Sequence, residues 1–86
     1  MLVVERARVL AKYLTQTRLT LRCETDSFTR PYTFRAVADG EGTKELFERV
    51  GLGEEIYVRG IPSAKFVDDL KRHELEILVK EANDAA

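Results

Sequence analysis

The stretch that decides the fold runs from Gly51 to Ala82 and reads GLGEEIYVRGIPSAKFVDDLKRHELEILVKEA. In Glu55-Ile56-Tyr57-Val58-Arg59-Gly60 the apolar Ile56 and Val58 fall on one face, and Glu55, Tyr57 and Arg59 fall on the other. That is the period of a half-buried strand. The alternation returns in Glu74-Leu75-Glu76-Ile77-Leu78-Val79-Lys80, where Leu75, Ile77 and Val79 share a face. The residues between read as a polar loop, with His73 exposed among charged neighbours at the start of the last strand.

Just upstream, Thr43 is a suitable N-cap for a short helix over Lys44 to Val50, with Leu46, Phe47 and Val50 on one face and Gly51 as its C-terminal stop. Asp39-Gly40-Glu41-Gly42 breaks a third strand over Thr29 to Ala38, in which Tyr32, Phe34, Ala36 and Ala38 alternate with Thr33, Arg35 and Val37. Pro31 cannot donate to a ladder, so it marks that strand's beginning or an edge. Asp26-Ser27 carries turn chemistry and joins it to a second strand over Arg18 to Thr25, where Leu19, Leu21 and Cys23 oppose Arg18, Thr20, Arg22 and Glu24. The first element, Val3 to Leu14, is ambiguous. Ala7, Val9, Ala11 and Tyr13 alternate with Arg8, Leu10 and Lys12 as in a strand, whereas the Ala, Arg, Leu and Lys content favours helix. We read it as a strand, followed by a polar turn or bulge at Thr15-Gln16-Thr17; a helix there would imply a different α+β sheet.

Eighty-six residues, 44% of them hydrophobic, suffice for one domain spanning 1–86, with residues 83–86 frayed at the end. No apolar run approaches the roughly 20 residues that cross a bilayer, and the first residues are not those of a secretory signal, so a soluble, cytoplasmic protein is expected. Cys23 and His73 are the sole residues of their types, which excludes an intrachain disulfide and a Cys/His zinc site. No cofactor is expected. The adjacent carboxylates Asp68-Asp69 and Glu54-Glu55 have neighbours that point apart, no nucleophile sits beside a base, and Gly40-Glu41-Gly42 is not a phosphate loop, so the sequence does not read as an enzyme. Charge is uneven: seven basic against three acidic side chains through Arg35, and seven basic against twelve acidic after it. Such an asymmetry fits one surface that meets an anion and another that stays solvated or meets a partner.

Three strands, a short helix and two strands is the element order of an all-β, five-stranded Greek-key barrel, the oligonucleotide/oligosaccharide-binding (OB) fold, with its helix between strands three and four. The run Leu46-Phe47, Val50-Gly51-Leu52-Gly53-Glu54-Glu55-Ile56-Tyr57-Val58-Arg59-Gly60 resembles the helix, Gly-containing step and fourth strand of bacterial single-stranded-DNA-binding proteins, and of primosomal proteins of the same fold. Leu75 to Val79 is similar to the strand that closes those barrels. The sequence holds no tryptophan, on which such proteins often stack bases.

The resemblance implies binding on the outer face of strands two and three, flanked by the loops between strands one and two and between strands four and five. Single strands are held in such grooves by cations along the phosphates and by aromatic faces under the bases. The candidates are Arg18 and Arg22 on strand two, Phe28 and Arg30 in the hairpin, and Tyr32 and Arg35 on strand three. Tyr57 and Arg59 lie on strand four, and Lys65, Phe66, Lys71 and Arg72 in the loop before strand five. The expected partner is single-stranded DNA ahead of RNA, bound with little sequence choice, with a homodimer or a larger replication or repair assembly raising affinity. The alternative is a protein-interaction barrel within a larger assembly. Arginines clustered beside exposed aromatics favour the first reading; arginines paired with Glu24, Asp26 and the acidic second half favour the second.

Overall fold

A computed structural model describes residues 1–25 and 32–85 of the chain. The elements are β1 (Val3–Leu14), β2 (Arg18–Thr25), β3 (Tyr32–Asp39), α1 (Thr43–Arg49), β4 (Glu55–Val67) and β5 (Arg72–Asp84). They close a barrel in the order β1-β2-β3-β5-β4, all neighbours antiparallel except the parallel pair β3 and β5. The expected all-β, five-stranded barrel with one short helix between strands three and four is what the chain forms, and Val3–Leu14 is a strand. The turn read at Asp26-Ser27, the strand start at Thr29 and the edge role of Pro31 fall outside the described residues. The one described helix, seven residues long, is too short to cross a membrane.

The core follows the alternation. Val9, Leu19, Leu21, Cys23, Phe34, Ala36, Ile56, Val58 and Ile77 are fully enclosed. Burial pushes the Cys23 thiol up to about 12, in keeping with its reading as a small core residue.

Four local readings change. First, β1 carries a bulge between Val9 and Ala11: Val9 faces Cys23, Ala11 faces Arg22, and Leu10 is the extra residue. A bulge reverses the alternation, so beyond it Lys12, not Ala11 or Tyr13, lies opposite the buried Leu21. Second, Gly42 rather than Thr43 is the N-cap of α1, with φ 83°, and Thr43 is the first helical residue and is buried. Its C-cap is Val50 in extended conformation, and the glycine of positive φ in the following turn is Gly53, not Gly51. Third, residues 83–85 are held: Asn83 pairs with Tyr57 in the β4–β5 ladder, and the Ala85 N–H donates to the Glu55 carbonyl at 3.0 Å.

The fourth change matters most for function. The polar loop expected after Gly60 is a continuation of both strands, with Ile61 through Val67 pairing back on Arg72 through Leu78. Pro62 fits within β4 because the ladder to β1 ends at Gly60, leaving that side of β4 an edge. On the other side, β3 meets β5 over Glu76–Leu78. From Ser63 to Leu75, therefore, the described ladders join the hairpin to itself alone, and it forms an arm on the barrel.

Candidate nucleic-acid interface

The outer face of β2 and β3 presents Arg18, Arg22 and Arg35, as the alternation requires, but none of the three is free. Arg18 Nε donates to Asp39 Oδ1 at 2.7 Å, and its Nη2 to Oδ2 at 3.0 Å. That hydrogen bond holds the Asp39 carboxyl below the usual carboxylate range. Arg22 reaches across β3 to β5, donating from Nη1 and Nη2 to the two Glu74 oxygens at 3.1 Å each, with Thr33 at 3.3 Å from the same Nη2. Arg35 Nη2 lies 3.1 Å from Glu76. The Glu74 side chain is 3% exposed, so this pair is sheltered from solvent in a way the Arg18–Asp39 pair, half exposed on both sides, is not.

Tyr57 and Arg59 do not join that face. β4 lies between β5 and β1 in the barrel order, on the side away from β2 and β3. There Arg59 is 3.7 Å from Glu81, and the Arg6 guanidinium sits 6.0 Å from the centre of the Tyr57 ring. Arg6 also donates to Glu55 through Nε at 2.9 Å, which lowers the Glu55 carboxyl from its ordinary value. All four arginines named in the test above, Arg18, Arg22, Arg35 and Arg59, are thus matched by carboxylates of the acidic second half.

The arm gathers the remaining candidates. Lys65 and Phe66 are on β4, Arg72 opens β5, and Lys71, with φ 53°, belongs to the turn between them. The Lys71 N–H donates to the Asp68 carbonyl and the Leu70 N–H to the Val67 carbonyl, each at 3.2 Å, which folds the tip. Phe66 is 53% exposed. His73, directly opposite it in the ladder, meets its ring edge-on with centres 5.3 Å apart. No carboxylate among the described residues lies within ion-pairing distance of Lys65, Lys71 or Arg72. His73 was not among the sequence candidates; its place beside Phe66 depends on the hairpin register, which the loop-like composition of the arm conceals.

Tyr32 starts β3, 38% exposed, with its ring 6.3 Å from that of the buried Phe34. Its phenol is raised above the usual value, first by burial and then by the charge of Glu5. Phe28 and Arg30 lie outside the described residues. The ten described candidates therefore divide into a paired arginine face, an aromatic at the start of β3, a far-side pair and a basic-aromatic arm.

No protein-family model matches the sequence, and no curated protein matches it. Solved structures do match. The small single-stranded DNA-binding protein from Streptomyces coelicolor superposes with a TM-score of 0.79 at 9% identity, over 98% of this chain and 91% of that one. A mitochondrial single-stranded DNA-binding protein from S. cerevisiae matches with 0.75 at 16% identity, over 99% and 94%. The aspartyl tRNA synthetase of Entamoeba histolytica matches with 0.74 at 20% identity, where the whole of this chain corresponds to 18% of the enzyme. Closed barrel, strand order, helix position and these superpositions agree: the chain has the oligonucleotide/oligosaccharide-binding fold.

Proposed function

We propose that this barrel binds single-stranded nucleic acid, DNA ahead of RNA and with little sequence choice, and that the β4–β5 arm is its principal contact. The observation that carries the reading is the arm itself: Lys65, Lys71 and Arg72 without carboxylate partners among the described residues, around the exposed Phe66 and its neighbour His73. Cations free to meet phosphates beside an aromatic face free to meet a base are the two components of a single-strand site. The names of the Streptomyces coelicolor and yeast proteins of like fold, both single-stranded DNA-binding, support the choice of ligand. A second copy of the barrel on the same strand would raise affinity without any new contact.

A second reading, a protein-interaction barrel in a larger assembly, draws on the pairing of Arg18, Arg22, Arg35 and Arg59 with carboxylates. One experiment separates the two. Fluorescence anisotropy of a labelled single-stranded DNA oligonucleotide, titrated with protein at low and rising salt beside a matched RNA and a duplex, should show saturable binding that prefers single strands. Its logarithm should fall with log salt at a slope of about −0.7 per phosphate contacted. Absence of binding at low salt rejects the nucleic-acid reading and leaves the interaction role.

A further inference from the structure

On β2, β3 and the adjoining part of β5 the outward carboxylates Glu24, Asp39, Glu74 and Glu76 outnumber the arginines Arg18, Arg22 and Arg35. The arrangement has a structural reason. Arg22 and Arg35 stand directly opposite one another in the β2–β3 ladder, and like charges across a strand pair repel. β5 lies on the far side of β3 and supplies one carboxylate to each: Glu74 to Arg22 at 3.1 Å and Glu76 to Arg35 at 3.1 Å. The Arg22 pair is bidentate, the geometry in which guanidinium and carboxylate bind each other best. A phosphate approaching this face meets Arg22 with both Nη groups engaged by Glu74 and Arg35 ion-paired to Glu76, beside carboxylates that repel it. Arg35 Nε has no hydrogen-bond partner among the described residues, so its fork is not fully matched by Glu76.

We infer that Glu74 and Glu76 act as negative determinants of nucleic-acid binding: they occupy Arg22 and Arg35, keep the β2–β3 face from serving as a phosphate track, and confine the strand to the β4–β5 arm. The inference rests on the proposed nucleic-acid function and adds to it the residues that set where and how weakly the strand is held. It also accounts for a face that carries arginines at the expected positions yet has no surplus of positive charge.

The test compares the wild-type chain with Glu74→Gln, Glu76→Gln and Glu48→Gln in the anisotropy titration with single-stranded DNA. Glutamine keeps the shape of each side chain and removes its charge. Glu48 lies on α1, exposed and in none of the described ion pairs, so its substitution makes the same change in net charge without releasing an arginine. Circular dichroism and urea unfolding on each variant establish that the barrel is retained; Glu76, on a more exposed side chain than Glu74, provides the reading if Glu74→Gln does not fold. Release of one arginine should tighten binding roughly tenfold, the scale of one charge-assisted hydrogen bond, and steepen the salt slope by about 0.7. Glu48→Gln should leave the slope unchanged. A gain no larger than that of Glu48→Gln, with the wild-type chain binding normally, overturns the inference and leaves the function standing. No binding by any of the four proteins overturns both.

Discussion

The ammonium of Lys12 lies 2.7 Å from the carbonyl oxygen of Phe47 and 4.4 Å from the centre of the same residue's ring. A second bond, 2.8 Å, runs from the same nitrogen to the Val50 carbonyl. The last turn of a helix leaves carbonyls without intrahelical partners, and here a cation from β1 meets two of them where the helix dipole favours positive charge. The bulge at Leu10 makes this contact available by turning Lys12 inward. Lys12 is thus a fastener between barrel wall and helix.

Replacing it with methionine keeps most of the stem and removes the donor. Lys12→Met should cost about 1 to 3 kcal/mol, the usual penalty for leaving a partly enclosed acceptor unmade, read as a lower urea midpoint at unchanged slope. An unchanged midpoint would mean that water satisfies these carbonyls equally well.

Gly60 marks the point where β4 leaves β1, beside the second irregularity in the barrel. A Cβ built on it would collide with the backbone carbonyl of Leu78, which cannot swing aside as a side chain does. Gly60→Ala should therefore destabilise by roughly 1 to 3 kcal/mol, as overpacking does. The barrel end of the arm should also loosen, visible as faster amide exchange at Ile61 and Val79. Wild-type stability in this variant would show that the ladder shifts at no cost.

Much of this was legible beforehand, for a physical reason. Burial on one face imposes a period of two, so Leu19, Leu21, Cys23, Ile56, Val58 and Ile77 announce themselves as core before any coordinates. Bulges do not announce themselves: nothing in Val9-Leu10-Ala11-Lys12 shows that alternation reverses there, and the Lys12 cap stayed hidden with it. The arm hides its strands because Pro62, Ser63 and the charged residues carry loop composition, and from Ile61 to His73 no residue is buried to impose a period. The pairing of Arg22 with Glu74 joins residues fifty-two positions apart. It depends on the parallel β3–β5 register, which alternation within one strand does not specify.

Acid should weaken the barrel through Asp39 and Glu55. Hydrogen bonds from Arg18 and Arg6 hold both carboxyls below their ordinary values in the folded state. A carboxylate with a depressed folded value contributes stability above its unfolded value, and that contribution is lost as pH falls through the folded one. Urea midpoints should stay level at neutral pH and decline as pH falls below about 5, through and beyond the ordinary carboxylate range. Both pairs are open to solvent, so salt should reduce the difference. Arg6→Gln and Arg18→Gln should each flatten the decline; a decline that persists in both variants would place the acid sensitivity in other carboxylates.

Two exposed aromatics decide between the two sides of the barrel. Phe66, 53% exposed, stands on the arm with His73 at its edge; Tyr57, 42% exposed, stands on the far side under the Arg6 guanidinium. Stacking of one base on one ring is worth about 1 to 3 kcal/mol, so Phe66→Ala should weaken single-stranded DNA binding by roughly tenfold to a hundredfold. Its salt slope should hardly change, because no phosphate contact is lost. Lys71→Ala should do the reverse, with a modest loss of affinity and a slope shallower by about 0.7. Tyr57→Ala should leave both quantities where they were, since it pairs with Arg6 and Asn83 on the barrel wall and β4 does not adjoin β2 or β3. Were Tyr57→Ala to weaken binding and Phe66→Ala to spare it, the strand would run along β1 and β4, and Arg6, Arg8 and Arg59 would be the cations that follow it.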